Sequence, residues 1–130
     1  MRYLLDTNIC IYLIKQKPPQ VLERFCSLSL LDIGISSITV AELEYGASKS
    51  QQQERNRHAL TEFLLSLEII EFSQAAAVIY GNIRTDLESK GLVIGSMDML
   101  IAAHAMSLDL TLVTNNIREF SRIPHLSLEN

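Results

Sequence analysis

The sequence predicts an α/β fold in which a central, mostly parallel sheet carries helices on both faces. Short apolar runs alternate along the chain with longer segments of helical periodicity, and strands separated by helices build parallel sheets covered on both sides. The chain has 130 residues, of which 48% are hydrophobic and 20% charged, as in a folded domain with one real core. No repeat or linker divides it, so we expect a single domain over residues 1–130.

The first half of the chain contains two predicted strands and four predicted helices. The strands are the apolar runs at residues 3–5 and 32–36, and the helices follow at 7–15, 18–27, 37–48 and 51–67. Pro18 and Pro19 suit the first turn of the second helix. In the fourth helix, apolar residues recur at intervals of three and four between positions 60 and 67, which is helical spacing.

The second half continues the alternation. A third strand is predicted at residues 68–72, followed by a helix that Ser73 caps and that runs to Lys90 and stops at Gly91. Ser96 is predicted to cap a helix over residues 97–107. The strongest strand pattern lies at residues 111–114, and a last edge strand is predicted at 126–128.

Net charge and cysteine content restrict the class of protein. The charge of −4 is opposite to the surplus that most nucleic-acid binders carry, so any RNA affinity must come from a local basic patch, a bridging cation or a partner chain. No apolar run approaches the length of a membrane span, and no signal peptide is recognisable, which favours a cytoplasmic protein. Cys10 and Cys26 lie among apolar neighbours and are expected to be buried rather than disulfide-bonded.

The candidate functional residues are acids near the ends of strands, where ligands bind in parallel α/β sheets. Asp6 directly follows the first strand. As an alternative, Asp6 caps the next helix, and Thr7 and Asn8 share this interpretation. Glu42 follows the second strand, and the alternative is a capping box with Thr39. Because the helix pattern begins before Thr39, Glu42 is expected to point instead toward the edge of the sheet that carries Asp6.

Further oxygen ligands follow later in the chain. Asp98 lies in the first turn of the helix at 97–107, where the helix dipole alone favours an acid, but the small residues after it allow this helix to pack closely on the sheet. After the last long strand come Thr114, Asn116 and Glu119. The alternative for this segment is a polar turn with a solvated pair between Arg118 and Glu119.

Together these residues predict a cation site. Crowded carboxylates repel, and a divalent cation relieves the repulsion. Ligation by oxygen alone selects Mg²⁺ or Mn²⁺, whereas His58, His104 and Cys10 show no spacing typical of a zinc site. His104 is expected to be a core or helix-surface histidine. A weakly ligated Mg²⁺ keeps positions for water and phosphate oxygens, which phosphodiester hydrolysis requires.

The same residues resemble the motifs of the PIN-domain ribonucleases and, among them, the VapC toxins of bacterial VapBC toxin–antitoxin pairs. The matching segments lie at residues 3–8 (YLLDTN), 36–43 (SSITVAEL), 45–47 (YGA), 94–105 (IGSMDMLIAAHA), 111–116 (TLVTNN), 118–120 (REF) and 123–124 (IP). They occur in the family's order and span nearly the whole chain. The resemblance implies a three-layer PIN-like fold.

The resemblance also implies a function. Asp6, Glu42 and Asp98 would be the metal-binding acids of an Mg²⁺-dependent endoribonuclease, Mn²⁺ being an alternative ion. The family's further acid falls near Asn116, so Glu119, the amide oxygen of Asn116 or a water completes the set, and Thr114 would position a ligand or the attacking water. The implied partners are a VapB antitoxin that alone contacts operator DNA, a second copy of the chain, and structured RNA such as initiator tRNA.

Other functions compete with this interpretation. A phosphoacceptor receiver domain needs an acid pair after its first strand and a lysine after its last, and this chain has no lysine beyond Lys90. A phosphatase with Asp6 as nucleophile would need an aspartate two residues later, where Asn8 stands. A catalytically inactive PIN-like binding module remains as the alternative, although the three acids are intact.

Overall fold

The computed structural model describes residues 1–130. The strands are β1 (Tyr3–Leu5), β2 (Ile33–Ser36), β3 (Glu68–Ile70), β4 (Thr111–Val113) and β5 (Leu128–Glu129). The helices are α1 (Thr7–Lys15), α2 (Pro19–Cys26), α3 (Ser37–Lys49), α4 (Gln53–Leu65), α5 (Gln74–Lys90), α6 (Ser96–Ser107) and α7 (Ile117–Phe120), with a 3-10 turn at Leu30–Asp32. No helix is both long and apolar enough to cross a bilayer.

The strands form one sheet in the order β3-β2-β1-β4-β5, and every neighbouring pair is parallel. The prediction of a parallel sheet is therefore confirmed. From β1 the chain moves outward to β2 and β3, then crosses back and builds β4 and β5 on the other side. The order of strands reverses at the pair β1–β4, and in parallel α/β sheets the crevice beyond such a pair is where ligands bind.

Two apolar cores cover the two faces of this sheet. On one face Leu4 and Leu112 pack with buried residues of α5 and α6. On the other face Leu5, Ile33 and Ile35 pack with α1, α3 and α4. Successive residues of a strand point to opposite faces, so Leu4 and Leu5 contribute to different cores. The three-layer prediction is confirmed.

Several element boundaries differ from those predicted. Strand β3 ends at Ile70 because the N–H of Phe72 donates to the Ser37 hydroxyl at 3.1 Å instead of continuing the ladder. Helix α6 begins at Ser96 itself, with Gly95 at the N-cap and no side-chain cap bond, so the prediction of Ser96 as cap was wrong. The last strand lies at Leu128–Glu129 rather than 126–128.

The structure differs from the sequence-based predictions at two further places. Helix α7 was not predicted at all, because four residues are too short to show periodicity. Its last residue, Phe120, is completely buried and fixes the segment against the sheet. Cys10 is buried as expected, but Cys26 is exposed, since it ends α2, a helix in which no residue is fully buried.

Candidate acidic site at the carboxyl edge of the sheet

Asp6 occupies the end of β1, between β2 and β4, and is only 3% exposed. Its Oδ1 accepts the N–H of Thr7 at 2.7 Å, and its Oδ2 accepts the Thr114 hydroxyl at 2.7 Å. The cap interpretation of Asp6 is therefore confirmed, yet it accounts for one oxygen only. Burial raises the pKa of the Asp6 carboxyl, and the two hydrogen bonds partly oppose that shift.

Glu42 approaches the same edge from α3. The Ser36 hydroxyl caps this helix by accepting the N–H of Ile38 at 3.1 Å, so Glu42 lies beyond the capping positions and the capping-box interpretation was wrong. The Oε1 of Glu42 instead accepts the Thr7 hydroxyl at 2.6 Å. The site thus joins the first turn of α1 to the second turn of α3.

Asp98 lies in the first turn of α6 and is half-buried. Burial contributes most to raising the pKa of its carboxyl, and the negative charges of Asp6, Glu42 and Glu119 add to the shift in that order; together they bring the pKa from 3.8 to about 6. No hydrogen bond opposes this shift. The charges of the three other acids therefore all act on Asp98, and these four carboxylates are called the acidic cluster below.

The segment after β4 contributes unequally to the acidic cluster. Glu119 lies in α7 and acts on Asp98 through its charge. It forms no ion pair with Arg118, so the solvated charge pair was wrong. Asn116 is connected through its backbone, whose N–H donates to the Thr114 hydroxyl oxygen at 3.0 Å. Thr114 is fully buried, and its hydroxyl donates a hydrogen bond to Asp6.

The acidic cluster has no basic partner. The ion pairs of the structure all lie elsewhere, at Arg24–Glu129, Arg57–Glu44, Arg84–Glu88 and Lys90–Asp86, and His58 contacts Glu62 at 3.2 Å. No three histidine, cysteine, aspartate or glutamate side chains lie close enough together to enclose a metal ion. The four carboxylates therefore act on one another through their charges without forming a closed coordination shell. The oxygen-only donor set fits a hard divalent cation.

The cysteine and histidine side chains near this edge are not suited to bind the cation. Burial and the charge of Asp6 raise the pKa of the Cys10 thiol, so it stays protonated and is no metal ligand. His104 is 1% exposed, with its Nδ1 2.7 Å from the Ser36 hydroxyl and its ring edge against Phe72. The prediction of a core histidine is confirmed. Its Nε2 has no hydrogen-bond partner, and burial lowers the pKa of the ring, which keeps it neutral.

Thr7 is the residue of this edge that sequence reasoning missed. The sequence predicts only a helix-capping role for Thr7, although Thr7 directly follows Asp6. Its contact with Glu42 joins residues 35 positions apart, and no periodic pattern reveals a side-chain contact over that distance. Its position beside an acid at a strand end was the available signal.

The raised pKa of Asp98 predicts a pH-dependent effect of Asp98→Asn on stability. The folded carboxyl has a pKa of about 6 against 3.8 when unfolded. The folded state then binds more protons between these values, so wild-type stability falls as pH rises through this window. In EDTA at pH 7.5, Asp98→Asn should raise the melting temperature by about 3 °C, which corresponds to about 1 kcal/mol in the free energy of unfolding. This value allows for solvent screening and for the helix-dipole attraction that is lost with the charge.

Thermal melts of both proteins at pH 4 and pH 7.5 measure this effect. The gain should be absent at pH 4, where wild-type Asp98 is protonated when folded and half-protonated when unfolded. A variant that melts lower than wild type at pH 7.5, or that gains equally at both values, would show that Asp98 is not destabilised by burial and its acidic neighbours.

The parallel sheet with acids at its carboxyl edge defines a family. The model of the PIN domain family matches residues 3–126, and the chain belongs to that family. Within it, the chain belongs with the VapC ribonucleases. It is 53% identical to Ribonuclease VapC2 of Rickettsia felis, over 100% of this chain and 98% of the relative. It is 45% identical to the tRNA(fMet)-specific endonuclease VapC of Salmonella typhimurium, with the same coverage.

Solved structures give the same relationship. The structure of VapBC2 from Rickettsia felis bound to a DNA fragment from their promoter contains a chain that matches with a TM-score of 0.93 and 52% identity, over 100% of this chain and 98% of the other. The DNA-bound VapBC of Salmonella typhimurium matches with a TM-score of 0.93 and 46% identity, over 99% and 97%. The resemblance inferred from the motifs is confirmed.

Proposed function

We propose that this chain, acting as one domain over residues 1–130, is the toxic Mg²⁺-dependent endoribonuclease of a toxin–antitoxin pair. One observation carries the proposal: Asp98, Asp6, Glu42 and Glu119 form an electrostatic cluster at the strand-order reversal, and no basic residue neutralises them. The similarity to relatives named as ribonucleases and as a tRNA(fMet)-specific endonuclease supports the same activity.

Asp6, Glu42 and Asp98 would hold the cation, with Glu119 as the fourth acid. A bound Mg²⁺ or Mn²⁺ neutralises phosphate charge and activates water for phosphodiester hydrolysis. The chain contributes the orientation of its carboxylates. Asp6 is held from two sides, by the N–H of Thr7 and the hydroxyl of Thr114, so its oxygens have little freedom before an ion arrives. Such preorganisation lowers the reorganisation that a reaction requires.

A bound cation would also explain how a negatively charged chain can bind RNA. With a charge of −4, the chain repels RNA over long distances, and the acidic cluster strengthens the repulsion at the site itself. A divalent cation held by these carboxylates would allow that edge of the sheet to accept phosphate. The proposed substrate is structured RNA, and initiator tRNA is the first candidate because of the tRNA(fMet)-specific relative.

The proposed protein partners are a VapB-type antitoxin and a second copy of the chain. A groove of about 270 Å³ between α1, α3 and α4 is lined mainly by apolar residues, among them Ile11 and Ile14, and it reaches Glu42. An amphipathic antitoxin segment fits this groove, and an arginine at its end would pair with the carboxylates. Operator DNA would be bound through the antitoxin. Undiminished inhibition after every antitoxin arginine has been replaced would exclude the arginine contact.

Metal removal tests the proposed activity. Purified protein should cleave initiator tRNA in Mg²⁺, lose cleavage in EDTA and regain it when Mn²⁺ is added in excess. Elongator tRNAs and an unstructured RNA of equal length serve as comparison substrates. Full cleavage in EDTA would exclude the metal mechanism. Binding of RNA without cleavage in either ion would instead identify the chain as a PIN-like binding module, and equal cleavage of all RNAs would exclude specificity for initiator tRNA.

A further inference from the structure

Thr7 contacts two acids of the acidic cluster at once. Its backbone N–H donates to Asp6 Oδ1 at 2.7 Å, and its hydroxyl lies 2.6 Å from Glu42 Oε1. Asp6 directly follows β1 and Glu42 lies in α3, so Thr7 connects the two elements that carry these carboxylates. A contact of this length to an ionised group is a strong hydrogen bond.

The direction of the hydrogen bonds follows from the chemistry of the groups. An ionised carboxylate only accepts hydrogen bonds, so the Thr7 hydroxyl uses its single hydrogen to donate to Glu42. The hydroxyl of Thr39, which is completely buried, lies 3.3 Å from the Thr7 hydroxyl oxygen and can then donate to it. The result is a chain of donors from Thr39 to Thr7 to Glu42.

We infer that Thr7 is a positioning residue that holds Glu42 beside Asp6 for the divalent cation, an inference that rests on the proposed function. A lysine or arginine in this place would orient Glu42 but also cancel its charge. A neutral hydroxyl orients the carboxylate and leaves its charge available to a cation. Thr114 holds Asp6 in the same way, so two acids of the site are fixed by threonines.

Thr7→Val tests this inference because it removes the hydroxyl and keeps both the branched shape and the N–H that donates to Asp6. Calorimetric titration of the metal-free protein with Mn²⁺ should show a dissociation constant raised about tenfold, as is typical when a hydrogen bond to a metal ligand is lost. Thr7→Ser restores the donor and should bind within threefold of wild type. Thr85→Val is the matched control, since the Thr85 hydroxyl donates only to the carbonyl of Gly81 in its own helix.

A double-mutant cycle separates positioning from general damage. If Thr7 acts through the charge of Glu42, Thr7→Val should change Mn²⁺ binding less than twofold in a Glu42→Gln background. An equal loss in both backgrounds, or wild-type affinity in Thr7→Val, would overturn the inference. If Thr7→Val melts well below wild type, the pair Thr7→Val and Thr39→Val removes the unpartnered buried hydroxyl and should show the same tenfold loss.

The cycle also distinguishes failure of this inference from failure of the proposed function. Wild type that binds no Mn²⁺, or Glu42→Gln that binds it as well as wild type, would overturn both. Normal binding by wild type, weak binding by Glu42→Gln and normal binding by Thr7→Val would overturn only the role of Thr7.

Discussion

Asp6→Asn should abolish RNA cleavage and toxicity while leaving the protein folded. The substitution keeps the shape of the side chain and its ability to cap α1, because asparagine caps helices about as well as aspartate. It removes the charge that the cation would need. Loss of a ligand charge worth several kcal/mol corresponds to a decrease in cleavage rate of at least about 100-fold. A cleavage assay on purified protein and the growth of cells expressing it without antitoxin measure this result.

Its stability should fall by less than the lost hydrogen bond alone would cost, because two effects oppose each other. The asparagine oxygen can still accept the N–H of Thr7, but its NH₂ group then faces Thr114, whose hydroxyl proton loses its acceptor. That loss costs about 1.5–3 kcal/mol. Relief from burying a charge, which raises the pKa of Asp6, offsets part of it. Unchanged toxicity in a folded Asp6→Asn variant would contradict the proposed site, whereas an unfolded variant would point to a structural role of the charge.

Glu119→Gln should reduce cleavage about tenfold or more, and Asn116→Ala should reduce it much less. The charge of Glu119 acts on Asp98, so the glutamine variant removes one of the four charges that would attract the cation. Asn116 makes no side-chain cap bond to α7, and its contact with Thr114 runs through the backbone N–H. Alanine retains that contact. Steady-state cleavage of the same tRNA by both variants measures the difference.

Glu62→Gln is the control for this comparison, because Glu62 is an exposed acid on α4 that pairs with His58. It should cleave like wild type. A larger loss in Asn116→Ala than in Glu119→Gln would make the amide oxygen of Asn116 the fourth ligand. If both variants cleave RNA like wild type, a water molecule rather than either side chain would be the fourth ligand.

The positions of three acids could be predicted from the sequence because each is tied to the carboxyl edge of the sheet by a local pattern. Asp6 comes directly after a buried strand, Glu42 lies in the helix after the second strand, and Asp98 lies in the first turn of a helix with a small-residue face. In a parallel sheet these positions converge at one edge. Local patterns were sufficient here because backbone topology, rather than side-chain conformation, brings the acids together.

Features that depend on side-chain conformation or on single buried residues were missed. The hydrogen bond from Thr7 to Glu42 depends on two rotamers and on a separation of 35 residues. Helix α7 depends on the complete burial of Phe120 and places Glu119 toward Asp98 rather than beside Arg118. Ser96 has the composition of a cap, but the helix begins at Ser96 itself and leaves Gly95 at the N-cap.

The contact between Thr114 and Asp6 has a consequence for the time at which activity appears. The two residues are separated by 108 positions, and β4 pairs directly with β1. A ribosome therefore produces Asp6 and Glu42 long before the strand that completes their surroundings. The emerging chain carries an unfinished site during most of its synthesis, because domains fold as units. If the proposed site is the active site, cleavage of RNA would depend on closing this strand pair, the longest-range one of the sheet, and toxicity would be delayed until the sheet is complete.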